Sequence, residues 1–188
     1  DPVHRFIPAW RNLGVWTGGS YPLFASEPPQ RPMSIRDLLM HTSGLTYDFL
    51  RASNIDYAYR KLQIGNPQPG YTLQGMIDQL ATLPLEFSPG ERWNYSLATD
   101  VLGYLVEVMS GQSLPEYLDT AIFEPLGMVD TSFEIAPQKT ARFASCYERN
   151  LKKEMVLNDD GQASRFANRS FYSGGGGLIS TVGDYYRF

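Results

Sequence analysis

Phe87-Ser88-Pro89-Gly90-Glu91-Arg92-Trp93-Asn94-Tyr95-Ser96-Leu97 holds three kinds of local chemistry in succession. Ser88-Pro89-Gly90 is turn chemistry, because proline presets φ and glycine tolerates positive φ. Trp93 to Tyr95 is a short aromatic piece suited to extended backbone. Ser96 then stands as the N-cap of a helix in which Val101, Leu102, Leu105 and Val106 share one face and which Gly111 ends. Turn, extended piece and helix in that order place the Tyr95 phenol beside unpaired N–H groups and the positive end of a helix dipole, where a phenolate is favoured. Tyr95 is therefore a candidate catalytic residue; the structural alternative is a half-buried aromatic ahead of a cap.

Moving outward, Ser34 and Asp37 form a capping-box-like pair at the start of a helix whose buried face would be Ile35, Leu38 and Leu39. His41-Thr42-Ser43-Gly44 ends it, with His41 in the last turn near the negative dipole end. Ser43 lacks the Gly-x-Ser-x-Gly elbow of a nucleophile. Ile55 to Leu62 is helical, and Thr72 caps a further helix carrying Leu73, Met76, Ile77 and Leu80. Residues 66–70 break the chain between those two, and both they and residues 84–90 are expected to be surface connections. Ser113, Pro115 and Glu116 start another helix. Arg142 to Tyr147 and Met155 to Leu157 form a hairpin around a charged, solvated loop, with Cys146 expected in the strand core. Residues 1–33, rich in proline and glycine, form a wrapping segment with at most short strands.

Composition narrows the function. The 188 residues are 43% hydrophobic and 19% charged with a net charge of −4, enough for one core and without the basic footprint of nucleic-acid binding. No apolar run reaches the ~18 residues of a membrane-spanning helix. One cysteine excludes an intrachain disulfide framework, and His4 and His41, the two histidines, do not make a histidine-rich metal site. No metal or cofactor is expected: Gly174 to Gly177 are followed by Leu178, where a phosphate loop needs lysine.

Ser88 to Ser96, the helix ending Glu107-Val108-Met109-Ser110-Gly111, Pro125-Leu126-Gly127-Met128 and Thr131-Ser132-Phe133 together resemble the serine beta-lactamase-related hydrolases. These include class C beta-lactamases, D-alanyl-D-alanine carboxypeptidases and esterases of the same fold. Ile35 to Leu45 is similar to the family's helix and loop, and Ser173 to Thr181 to its glycine-rich strand entering a helix that begins at Thr181 and Asp184. The resemblance implies an α+β, mostly helical chain: the helical region of a beta-lactamase/transpeptidase-like fold with a few short strands. It implies acyl transfer by a serine, with Tyr95 and a lysine moving its proton. It also brings the segment after Thr42-Ser43-Gly44 towards the substrate cleft, so Tyr47 and Phe49 either line an acyl pocket or simply pack.

No serine in these residues is followed three places later by lysine, and neither Lys-Thr-Gly nor His-x-Gly occurs. Residues 1–188 are accordingly expected to be an internal fragment of one such domain, lacking the nucleophile helix and the C-terminal sheet strands. The expected function is part of a serine hydrolase acting on a small-molecule ester or amide, with the fragment alone inactive and prone to self-association through uncovered surface. Leu97 stands where the family's Tyr-x-Asn pattern has asparagine, which favours carboxylic esters over a beta-lactam or D-alanyl-D-alanine substrate. A non-catalytic binding or scaffolding domain of the same fold is the alternative from another class. The sequence leaves localisation open.

Overall fold

The first 33 residues lay apolar side chains against the interior without a core of their own. In the computed structural model, which describes the chain except residues 67–69, 168 and 170, two 3-10 turns at Val3–Arg5 and Pro8–Asn12 bury Val3 and Trp10. The Trp10 indole N–H donates to the Ile77 carbonyl at 3.2 Å. Strands β1 (Val15–Ser20) and β2 (Leu23–Glu27) pair as an antiparallel hairpin, with Val15 opposite Glu27 and Ser20 opposite Leu23.

Helix caps then punctuate the chain much as their sequence chemistry dictates. Helix α1 (Ile35–Leu39) opens on a reciprocal Ser34–Asp37 box, α2 (Asn54–Leu62) on Ser53 and Asp56, and α3 (Leu73–Leu80) on Thr72. Helix α4 (Ala98–Ser110) ends at Gly111, whose φ of 72° is the left-handed conformation that suits glycine. Helix α5 (Leu114–Leu118), boxed by Ser113 and Glu116, passes through a π turn at Asp119–Phe123 into α6 (Glu124–Leu126). A second antiparallel hairpin, β3 (Cys146–Arg149) and β4 (Met155–Asp159), precedes α7 (Val182–Arg187), which Thr181 caps.

Helix α4 is the hub. It packs on α1, α3 and α5, and its Val101 and Leu105 are fully buried with Leu38, Ile55, Tyr59, Met76 and Ile77. Each such side chain contributes about 1.5–3 kcal/mol on burial. That shared core, more than intrinsic propensity, holds helices of five to nine residues such as α1 and α2.

Several expectations need correction. Ser96 does not cap α4: the N-cap position is Leu97, without a side-chain cap, and the buried Ser96 hydroxyl lies 3.3 Å from His41 Nδ1 instead. Leu39 is 66% exposed, because so short a helix meets the core through one side and Leu38 takes it. His41 lies beyond the helix, at φ 53°. Residues 83–89 are largely buried, not a surface connection. Leu85 donates its N–H to the Gly14 carbonyl and accepts from Trp16 N–H, both at 2.8 Å, so this backbone is satisfied inside the fold. Cys146 lies in a strand but is exposed, since β3 stands off the body with all four residues open. Ser173 to Thr181 forms a turn and a single bridge, Ile179 to Ser132, not a strand. The chain break expected at 66–70 falls mostly on residues 67–69, outside the described residues.

Candidate active site

Two stretches far apart in sequence are laced together by their backbones. The Glu86 N–H donates to the Gly44 carbonyl at 2.8 Å, Gly90 to Thr42 at 2.8 Å, Asn94 to His41 at 2.8 Å and Leu97 to Thr46 at 3.2 Å. The Asn94 side-chain amide adds a bond to the Leu45 carbonyl at 3.0 Å. Gly44 makes the close approach possible: its φ is 86°, and a Cβ there would sit 2.3 Å from the Phe87 carbonyl oxygen. The near end of the strip is pinned by Asp37, which accepts both Arg31 guanidinium nitrogens at 2.7 Å and the Thr42 hydroxyl at 3.1 Å. Burial alone would raise the Asp37 pKa; the bonds from Arg31, Ser34 and Thr42 prevail and hold it well below the usual carboxylate range.

Tyr95 rides on this strip just ahead of α4 and is 44% exposed. Its ring centroid is 5.0 Å from that of His41 on one side and 5.0 Å from that of Tyr47 on the other. Tyr47 stacks on Phe49 at 4.8 Å with an interplanar angle of 22°, so the structure brings together all three residues singled out from the sequence. Phe49 is 58% exposed and Trp93, 6.4 Å from Tyr95, is 65% exposed. An open phenol with aromatic walls can exchange a proton with a group placed on its free side while those walls hold an apolar substituent.

Beneath Tyr47 lies Asp100, in the first turn of α4 and 2% exposed. Its Oδ1 accepts the Ser173 hydroxyl and the Gly175 N–H, the latter at 3.3 Å. Burial pushes its carboxyl above the usual range, opposed by those two bonds. For Tyr47 burial comes first, then the Asp100 charge, then Tyr95, and all push the phenol above its ordinary range. The turn bearing Ser173 and Gly175 reaches α4 because glycine meets glycine: a Cβ on Gly103 would lie 2.9 Å from Gly174 Cα. A concavity beside the π turn, lined by Phe123, Met128, Ile135 and Lys139, is separate from this cluster. Among the described residues no group of three or more His, Cys, Asp or Glu is disposed to hold a metal, and no helix is long and apolar enough to cross a membrane.

The Beta-lactamase family model matches residues 1–188. The chain belongs to that family. Protein Rv1367c of Mycobacterium tuberculosis (strain ATCC 25618 / H37Rv) is 35% identical over 188 residues, which take in 100% of this chain and 45% of that protein. Esterase EstB of Burkholderia gladioli is 33% identical over 201 residues, 99% of this chain and 48% of the esterase. Among solved structures, EstCE1, a hydrolase with promiscuous acyltransferase activity, matches with a TM-score of 0.78 and 26% identity, covering 100% of this chain and 50% of that one. The chain thus spans about half the length of the relatives it matches. Its α+β, mostly helical architecture with short strands is a partial beta-lactamase-like fold.

Within this family member, sequence reasoning found the three clustered aromatics but missed Asp100 and Trp93. Asp100 lies in the first turn of α4 and was not singled out from the sequence. The available signal was Gly103, three residues on and so on the same side of the helix, where the missing side chain admits the close approach of Gly174.

Proposed function

We propose that this chain is part of a serine hydrolase that transfers acyl groups from carboxylic esters, with Tyr95 as the proton carrier. The observation that carries this is the Tyr95 phenol itself, half-open at the head of α4 and set between His41 and Tyr47. The nucleophilic serine and its lysine would come from sequence outside these 188 residues, which contain no Ser-x-x-Lys. The family match and the resemblance to an esterase that is about twice as long support that division. Residues 1–188 are in this reading one internal part of a beta-lactamase-like domain.

A serine hydroxyl is a poor nucleophile until a base takes its proton, and a phenolate beside a lysine can be that base. As serine Oγ bonds to the ester carbonyl carbon, its proton passes to Tyr95. The tetrahedral intermediate then collapses, the ester C–O bond breaks, and Tyr95 returns the proton to the departing alkoxide. Water or an alcohol repeats the sequence in reverse to free the acyl group. Tyr47 and Phe49 form one apolar wall for the small-molecule ester or amide. Leu97 supports esters as the substrate: it is buried, its side chain lies under Gly65, and it has no amide to offer an acylamino group.

The test is Tyr95→Phe in the intact protein with short-chain p-nitrophenyl esters. The expected fall in kcat is about 10²-fold or more, the scale of lost general base catalysis. Unchanged turnover rejects the role. The 188-residue chain by itself should release no p-nitrophenol.

A further inference from the structure

Three consecutive residues just ahead of α4 each reach His41 by a different group. The Asn94 N–H donates to the His41 carbonyl at 2.8 Å, the Tyr95 ring centroid lies 5.0 Å from that of the imidazole with the planes at 53°, and Ser96 Oγ lies 3.3 Å from His41 Nδ1. Peptide chain, hydrogen bond and ring contact thus close a loop through Tyr95. The His41 backbone is pinned from the other end as well, since its N–H donates to the Leu38 carbonyl at 3.2 Å. Its φ of 53° is a left-handed value that glycine or asparagine adopts more readily, so the turn by itself does not call for an imidazole.

We propose that His41 and Ser96 are positioning residues for Tyr95: the Ser96 hydroxyl holds the imidazole in one orientation, and the imidazole holds the Tyr95 ring. This rests on the reading of Tyr95 as proton carrier. A phenol that is 44% exposed would otherwise swing about its side-chain bonds, and proton transfer needs it in one direction. Turning the imidazole over about its Cβ–Cγ bond would put a carbon against the Ser96 hydroxyl and leave that group unpaired, which is costly because Ser96 is fully buried. A hydroxyl can donate or accept, so the bond to Nδ1 survives in either tautomer of the ring. An imidazole is neutral or cationic, so the wall that steadies Tyr95 brings no negative charge against the phenolate that serves as base.

The experiment uses the intact protein with Ser96→Ala, His41→Asn and the double variant, and p-nitrophenyl acetate as substrate. Ser96→Ala keeps the ring and removes its anchor; His41→Asn suits the left-handed backbone, keeps an amide the same number of bonds from Cβ as Nδ1, and removes the ring. Each single variant should lower kcat about tenfold or more, on the scale of a misplaced catalytic group, with KM changed less than about twofold. Added to His41→Asn, Ser96→Ala should lower kcat no further, because Ser96 acts only through the ring. Independently of activity, spectra of protein carrying carbon-13 in its tyrosine rings should show the Tyr95 resonances, assigned by their loss in Tyr95→Phe, moving on Ser96→Ala in the wild-type background and staying in place when the same change is made in His41→Asn. Tyr95 resonances that Ser96→Ala leaves unmoved, or moves equally in both backgrounds, overturn the proposal, as do kcat losses that multiply in the double variant. If Ser96→Ala does not fold, His41→Phe, a ring without Nδ1, takes its place and should lower kcat by a similar factor; wild-type turnover in it overturns the proposal. A wild-type protein that hydrolyses no ester would refute the proposed function, and the Tyr95 resonances would still decide the positioning.

Discussion

Gly174→Ala should loosen the seat of the glycine-rich turn on α4, whereas Gly176→Ala, two residues on, should leave the protein almost unchanged. An added Cβ at 174 would lie 2.4 Å from the Thr99 carbonyl oxygen and 2.9 Å from Gly103 Cα, both backbone atoms that cannot swing aside. A Cβ at 176 meets nothing within 4 Å. Ordinary carbon-to-oxygen contacts begin near ~3.3 Å, so the turn must retreat by about 1 Å. The Gly175 N–H starts 3.3 Å from Asp100 Oδ1, and a further ~1 Å takes it out of hydrogen-bond range. Hydrogen bonds to a charged group contribute about 1.5–3 kcal/mol, and the packing of Gly174 on Gly103 goes with them. Against this stands a gain of about 0.4–1 kcal/mol from the stiffer unfolded chain, which both variants share. The expected gap between the two variants is therefore about 2–3 kcal/mol. Urea unfolding of both, followed by circular dichroism with equal m-values, measures it. Two variants that agree within about 0.5 kcal/mol would refute the reasoning that this contact is sterically closed.

Two further predictions concern groups away from the phenol. Asp37→Asn should cost about 2–3 kcal/mol at neutral pH, through the lost charge-assisted bonds and half of the capping box, discounted because Arg31 is partly exposed. The folded pKa of Asp37 lies below the unfolded value of about 3.9. Its stabilisation is complete above that pH and is lost as pH falls through the folded value, so the gap between wild type and variant in urea melts should hold from neutral pH down to about 5 and shrink below about 4. A gap that persists undiminished at low pH would count against the charged pair. Cys146, exposed on β3, should react with a thiol reagent in the folded 188-residue chain as completely as in urea. Protection until unfolding would contradict its placement.

What the sequence disclosed follows the range of the interactions involved. Ser34, Thr72, Ser113 and Thr181 were legible as caps because each bonds to a backbone N–H three residues on. Ser96 has the same chemistry in a similar setting, yet a partner 55 residues away, His41, lies beside its hydroxyl. The apolar alternation of Leu83, Leu85 and Phe87 was masked by the prolines around it. Its burial comes from backbone partners at Gly14, Trp16 and Gly44 that local pattern does not reveal. At the site, the aromatic character of Tyr47, Phe49 and Tyr95 was visible residue by residue, but the approach of Tyr95 to the other two depends on the pairing of 41–46 with 86–97. Asp100 stayed hidden for the same reason, since Ser173 and Gly175 lie 73 and 75 positions downstream.

The lacing of His41 to Asn94 and Thr46 to Leu97 uses main-chain atoms at every rung. A residue carried on such a ladder inherits its place from peptide groups that most substitutions leave intact, proline and a side chain at Gly44 apart. Trp93 and Phe49, both exposed, can therefore be exchanged for other shapes without dislodging Tyr95 from the ladder, so that under the proposed function acyl preference drifts while the proposed proton carrier stays in register.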